Sequence, residues 1–551
     1  MTFAIDPGPL DLALEHAYVR LSTCRFAEAL WARRLDVWAG DADVRRTIGN
    51  RLGWLDAAGA MRPHVPRLRA LAQAVSDAAF SDVVLLGMGG SSLAAEVLRA
   101  VVGSAPGYPR LHVLDTIDPE SVRAAMDRPA TSLFIVASKS GSTIEVSSLA
   151  AEAERRVQEA GVADPGSHFV AITDEHTSLH RRAVDRGFRD VFINPGDVGG
   201  RYSALTYFGL VPAALMGMDV DALLASAQAM ADACRVDDPR RNPGLALGAA
   251  LAAAALTGRD KLTLVLPGRL ERLGLWIEQL VAESTGKQGK GIVPIAGESS
   301  GATLGADRLV VVMTLGASAS PNAPAPVVTL DLHDLTALGA EFVRWEVATA
   351  TAGLLLDINP FDEPNVQQAK EATRVLLEAF RSGGRLPSGE PDAALDGVRV
   401  TLTGAARSGL RGRTPLAFLT LLRPGDYFGL LAYLPPDDER FAPGLQQLRT
   451  AVAARAGCAT MLEYGPRYLH STGQLHKGGP NSGVLVIVTA EPPVDLPVPG
   501  EPYSFGTLEL AQAAGDFQAL DRAQRRALHV HLPSRDPRLL QYVSEKLLRA
   551  V

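Results

Sequence analysis

This 551-residue chain is poor in several things, and each shortage narrows what it can be. It carries three cysteines, Cys24, Cys234 and Cys458, odd in number and widely spaced. That is neither a disulfide framework nor a metal pattern, and it fits a reducing compartment. No apolar run is long enough for a bilayer; the Ala-rich stretch 245–257 is too short and small-sided. The opening residues MTFAIDPGPLDLALEH have no basic segment and hold Asp6, Pro7 and Pro9, so no secretory leader is read there. Surplus positive charge is missing too: the net charge is −7 and the pI about 5.9, which argues against nucleic-acid or anionic-membrane partners. There is no Walker A sequence and no solenoid period, so nucleotide hydrolysis and repeat architectures are disfavoured. A cytoplasmic protein is expected.

Lysine is also rare. Of 54 basic residues only Lys139, Lys261, Lys287, Lys290, Lys370, Lys477 and Lys546 are lysines. Arginine supplies the rest, and lysine differs from it as a compact charge able to release a proton. Most of these lysines fall inside the motifs below.

Residues 1–80 read as helical, with Leu10, Leu14, Ala17 and Leu21 at helical spacing. The texture then changes to short apolar runs separated by Gly/Ser turns and helices: 82–86, 111–114, 133–137, 168–172 and 190–193. That alternation predicts a doubly wound α/β unit over 81–235 with a mostly parallel sheet. A second such unit is expected over 236–381, with strands at 262–266, 309–313 and 327–330 and helices near 337–357 and 363–380. The polar stretch 382–397 reads as a linker. Beyond it, 398–551 is expected to be an α/β extension completing the second unit, with strands at 427–433, 459–464, 484–489 and 528–532.

Two strand-to-helix turns look built for an anion. Gly87-Met88-Gly89-Gly90-Ser91-Ser92 combines glycines that let the backbone turn tightly with the hydroxyls of Ser91 and Ser92 before a helix start. Ser138-Lys139-Ser140-Gly141-Ser142-Thr143 gathers four hydroxyls and an ammonium at a second helix start. A dianionic phosphate held without a metal needs about that many donors. Ordinary helix capping would account for one hydroxyl and leave three unused.

Acid–base chemistry on a bound anion needs a base, a positive group for the negative charge that develops, and further acid/base groups. Glu283, in ESTGK (283–287), ends a helix whose apolar side carries Leu273, Ile277, Leu280 and Val281. Helix dipole and burial there both favour the protonated acid and so raise its pKa. The bland alternative is a solvated glutamate paired with Lys287 or Lys290. Arg201, in GGRYS (199–203), follows two glycines, Gly199 and Gly200, that allow close approach of backbone to substrate. Glu145 follows the second turn, where a helix-first-turn acid complementing the dipole is the plain reading. Lys370 ends NPFDEPNVQQAK (359–370), and His470 opens HSTGQLHKGG (470–479), with His476 a rival six residues on.

Together ESTGK, GDVGGRYSAL, the two serine turns and the His and Lys segments resemble the phosphoglucose isomerases, and specifically the isomerase half of bifunctional transaldolase/phosphoglucose isomerase proteins. The resemblance implies flavodoxin-like sugar isomerase domains and interconversion of glucose 6-phosphate and fructose 6-phosphate, with no metal and no cofactor. Glu283 would be the base, Arg201 the enediolate partner, and His470 with Lys370 the ring-opening pair. Gly90, Ser91, Ser138, Lys139, Ser140, Thr143, Glu145 and Gly200 would hold the sugar phosphate. It also implies a homodimer in which the histidine comes from a partner copy. Two features depart from the usual pattern: the histidine segment follows the lysine segment, and Glu363 stands where a phosphate-contacting glutamine is usual. A non-catalytic sugar-phosphate sensor would share the serine turns but has no chemical need for ESTGK, GGRYS and the His/Lys segments. Dual glucose/mannose-6-phosphate activity is a further alternative. Transaldolase and amidotransferase chemistry are not expected.

Overall fold

The computed structural model describes residues 2–298, 304–316, 326–387 and 389–550; residue 388 of the expected linker lies outside these. Three sheets organise the described residues. Strands β2 (Asp82–Gly87), β3 (Arg110–Leu114), β4 (Ser132–Ala137), β5 (Phe169–Thr173) and β6 (Asp190–Ile193) lie in the order β3-β2-β4-β5-β6, all parallel. Each starts and ends within about two residues of its expected place, because β2 and β4, buried along their whole length, read as unbroken apolar runs. Successive connections lead to opposite sides of the sheet from between β2 and β4, where the strand order reverses. Anion sites in such sheets form beside that switch point, and both serine turns leave from these two strands.

The second sheet has the order β1-β10-β9-β7-β8, from β1 (Thr2–Asp6), β7 (Lys261–Val265), β8 (Val293–Ile295), β9 (Arg308–Leu315) and β10 (Val327–Leu332). Here the expectation of an all-helical first 80 residues is corrected: β1 pairs antiparallel with β10, Ala4 facing Thr329. The helices that follow β1 carry Leu14, Leu21, Phe26, Leu68 and Val75 into one apolar core with both sheets.

The C-terminal extension builds a sheet of its own, β11-β12-β16-β15-β13-β14, from β11 (Ala393–Leu395), β12 (Val398–Leu402), β13 (Tyr427–Tyr433), β14 (Ala459–Tyr464), β15 (Gly483–Ala490) and β16 (Arg526–Leu532). β13 to β16 are mutually parallel, with Leu430 between Leu462 and Val486, while β12 runs antiparallel to β16. This unit packs on both others. Leu496, Phe505, Leu508 and Ala511 share a core with Val84, Phe134 and Leu149 of the first unit. Tyr427, Met461 and Leu475 share another with Ala282, Val293 and Ile295 of the second. Among the described residues no helix is long and apolar enough to cross a membrane.

Candidate active site

The helix Leu273–Thr285 is buried on nearly every side, more than its amphipathic pattern suggested, because units one and three close over it. Glu283 in its last turn is 8 % exposed, and neither lysine of its own segment is bonded to it. Lys287 donates to the carbonyls of Asn359 and Asp362 and to the Asp362 carboxylate, and Lys290 to the Leu356 carbonyl. The neighbour of Glu283 is Arg201, with Nη1 3.4 Å from Oε1.

Arg201 is itself buried, and such a guanidinium is tolerated only when its donors are used. Nε donates to Ser284 Oγ at 2.8 Å, and Nη2 to the carbonyls of Pro360 and Asp362 at 2.8 and 2.9 Å. Nη1 donates to Glu363 Oε2 at 3.1 Å. The unusual glutamate at 363 is thus paired with a cation and shares Arg201 with Glu283. Burial pushes the Glu283 carboxyl up to about 7; Arg201 opposes this, the Glu363 charge adds to it, and Lys287 and His470 oppose it. At Glu363 burial is outweighed by Arg201, and the carboxyl falls below its usual range.

His470 Nε2 and Glu145 Oε1 are 2.7 Å apart. Burial would raise the Glu145 carboxyl, but the charge and hydrogen bond of His470, the backbone and Gln512 together hold it at about 2. Gln512 donates to the same Oε1 at 2.6 Å. Gln279, one turn before Glu283, ties the two clusters together: its Nε2 donates to Glu283 Oε2 at 3.2 Å and to the His470 carbonyl at 2.7 Å. Neither Gln279 nor Gln512 stood out in the sequence, since a glutamine on a helix carries no local signal of its partners.

A cavity of about 380 Å³ opens in front of this dyad, lined among others by Ser140, Ser142, Thr143, Glu145, Lys370 and His470. Thr143 precedes the helix Ile144–Glu159 without capping it; its hydroxyl lies 3.0 Å from Ser138 Oγ instead. The first N–H groups of that helix therefore have no side-chain cap, which leaves them for an anion. Lys139 turns from the cavity to Asp174 and the Gly196 carbonyl. His476 is away from it as well, buried with Nδ1 2.9 Å from the Tyr427 hydroxyl. Gln474 clasps the Glu283 helix to the Lys370 helix: Nε2 donates to the Gly286 carbonyl, and Oε1 accepts from Asn365 N–H at 2.8 Å. Gly90, Ser91, Ser138, Gly200, Arg201 and Glu283 do not line the cavity either; Gly90 packs against the Gly200 backbone, and the Glu283–Arg201 pair connects to the cavity through Gln279 and the His470 carbonyl. A larger space of about 560 Å³ lies by Glu278 and Glu463, but neither serine turn reaches it with a hydroxyl.

A buried carboxylate of raised pKa beside a fixed guanidinium, an imidazole–carboxylate pair and an uncapped hydroxyl-rich helix start are the parts of an acid–base catalyst for an anionic substrate. In sequence, a family model described as phosphoglucose isomerase matches residues 60–303. Glucose-6-phosphate isomerases from Thermosynechococcus vestitus and Rubrobacter xylanophilus are 31% and 30% identical, over 55% and 57% of this chain and 67% and 86% of theirs. A hypothetical protein of Thermus thermophilus superposes with TM-score 0.57 at 25% identity, covering 68% of this chain and 99% of its own. The glucose-6-phosphate isomerase of Chlamydia trachomatis shares the fold, with TM-score 0.53 at 20% identity over 69% of this chain and 89% of its own. The chain belongs to the phosphoglucose isomerase family. Lys370 and His470 lie beyond the span matched by the family model, so their place in the site rests on geometry.

Proposed function

We propose that this chain interconverts glucose 6-phosphate and fructose 6-phosphate in the cytoplasm as a homodimer, through an enediolate formed by its own side chains. The serine turn at 138–143 and the uncapped helix start take the phosphate, with Ser140 and Thr143 facing the cavity. His470, braced by Glu145, and Lys370 exchange protons with the ring oxygen and the anomeric hydroxyl as the ring opens. Glu283 then takes the proton from C2, electron density moves onto the carbonyl oxygen, and Arg201 balances that charge. The hydroxyl proton on O2 passes to O1 as the charge moves to O2, and the same carboxyl returns its proton to C1 while the C2 carbonyl forms, giving the ketose. A carboxyl near 7 holds both protonation states in quantity at neutral pH, as a group that takes and returns a proton requires.

The observation that carries this reading is the buried Glu283–Arg201 pair, joined through Gln279 to the segment holding His470. A coupled assay offering fructose 6-phosphate and reading glucose 6-phosphate tests it. Glu283→Gln is expected to keep sugar-phosphate binding and lose roughly 10³-fold in kcat. Near-normal turnover would reassign the base, and binding without any wild-type turnover would make the protein a sensor. Because the base must be ionised to act, wild-type kcat/KM is expected to fall as pH drops through about 7. Light scattering on the purified protein tests the dimer.

A further inference from the structure

The family resemblance implies a histidine lent by a second copy, yet His470 meets Glu145 of its own chain. We infer that the C-terminal unit acts as a built-in histidine donor, so that each chain carries a complete active site and borrows nothing from a partner. This rests on the reading of Glu283 and His470 given above.

The contacts that hold His470 in place run across the whole seam between the third unit and the other two. Its carbonyl is taken by Gln279 of the base helix, and its ring by Glu145 of the first unit. Gly89 makes room for it: a side chain there would strike the His470 carbonyl and the Gln279 amide. Three residues upstream, Arg467 grips Asp115 of the first unit through two parallel hydrogen bonds of 2.7 Å, both side chains largely buried. A fork of this kind fixes orientation as well as distance. Arg535 bonds Asp118 in a pair that is almost fully enclosed, and Arg440 reaches Glu120. Beneath these bonds lies the apolar seam of Phe505, Leu508 and Ala511 against Phe134 and Leu149.

The reversed order of the motifs follows from this arrangement. Lys370 sits on the helix Val366–Gly383, which packs against Phe505–Arg522 of the third unit, so the chain enters that unit beside the cavity. A histidine carried by a unit that follows the lysine can fold back onto the same cavity. Tethering keeps its local concentration high whatever the protein concentration.

Mixing two inactive variants decides the matter. Glu283→Gln and His470→Gln, each with its own tag, are co-expressed, and species carrying both tags are purified and assayed with fructose 6-phosphate. If each chain uses its own histidine, no site in the mixed species has both groups, and activity stays at the level of the single variants. If the histidine crosses between copies, one site of a mixed dimer is intact, and about half of wild-type activity returns; that result overturns the inference while leaving the site assignment standing. Failure to recover a doubly tagged species from a chain that is active and monomeric supports the inference directly. Should His470→Gln alone prove fully active, the site assignment itself fails and the inference with it. Circular dichroism checks that each variant is folded, with His470→Asn as the replacement if the first is not.

Discussion

The two glycine- and serine-containing turns look alike in sequence, leave adjacent strands of one sheet, and do different work. The turn at 87–92 is packed: Gly90 lies so close to the Gly200 backbone that a side chain would run into the Gly200 carbonyl, and Ser203 Oγ donates to the Gly90 carbonyl at 3.2 Å. The turn at 138–143 leaves Ser140 and Ser142 exposed at the cavity, with Ser142 Oγ 3.2 Å from Ser140 Oγ. One turn serves as a mould for the Arg201 loop; the other presents hydroxyls to the cavity. Glycine content marks the first role and uncapped hydroxyls the second, a distinction that a count of donors misses.

Between the two turns, the larger effect is expected from filling the mould. Gly90→Ala must push apart two backbones that cannot yield as a flexible side chain would, displacing Arg201 from Glu283. A shift of about 1 Å at a catalytic group can cost on the order of 100-fold, so kcat should fall by that order together with a lower melting temperature. Gly200→Ala is the control. A side chain there finds only Gly90 Cα, at 3.9 Å, and the variant should stay within a few-fold of wild type. Equal damage from both would erase the proposed difference between the turns.

A middle-sized effect is expected at the open turn. Removing both hydroxyls in Ser140→Ala/Ser142→Ala takes two neutral donors from the phosphate, each worth about 1 kcal/mol. KM for fructose 6-phosphate should rise roughly 10-fold or more with kcat little changed, as for lost uniform binding. A loss confined to kcat would mean that this turn shapes the site as the first one does.

The sheet strands were largely legible from sequence, and the partnerships within the site were not. β13 and β14 occupy their expected residues because apolar runs flanked by Gly, Pro and polar residues have few other ways to fold. β1 and β12 escaped notice because their partners lie elsewhere in the chain: Ala4 pairs with Thr329, and Val400 with Val530. The same holds at the site. Glu283 and Arg201 were visible from their motifs, but Glu363 shares Arg201 across 162 residues, and Gln512 meets Glu145 across 367. Such pairings depend on how units dock, which local pattern does not encode. Lys139 depends on docking in the same way: its motif suggests an anion donor, and the fold adds Asp174 as a partner that the motif does not show.

The smallest effect sharpens what the mould is for. Arg201, seated by the first turn, divides its charge between Glu283 and Glu363, and the other charged groups that act on this pair are Lys287, itself paired with Asp362, His470 and Arg51. Glu363→Gln keeps a hydrogen-bonding side chain but removes the second negative charge. Arg201 then acts on Glu283 alone and favours its ionised form, so the Glu283 carboxyl moves down from about 7. The acid limb of kcat/KM should shift to lower pH by roughly one unit, leaving the variant relatively more active at the acid end and nearly unchanged above about pH 8. A shift toward higher pH would mean that Glu363 helps to keep the base ionised. No shift, with KM raised instead, would mean that residue 363 meets the substrate and that Arg201 is committed to Glu283 from the start.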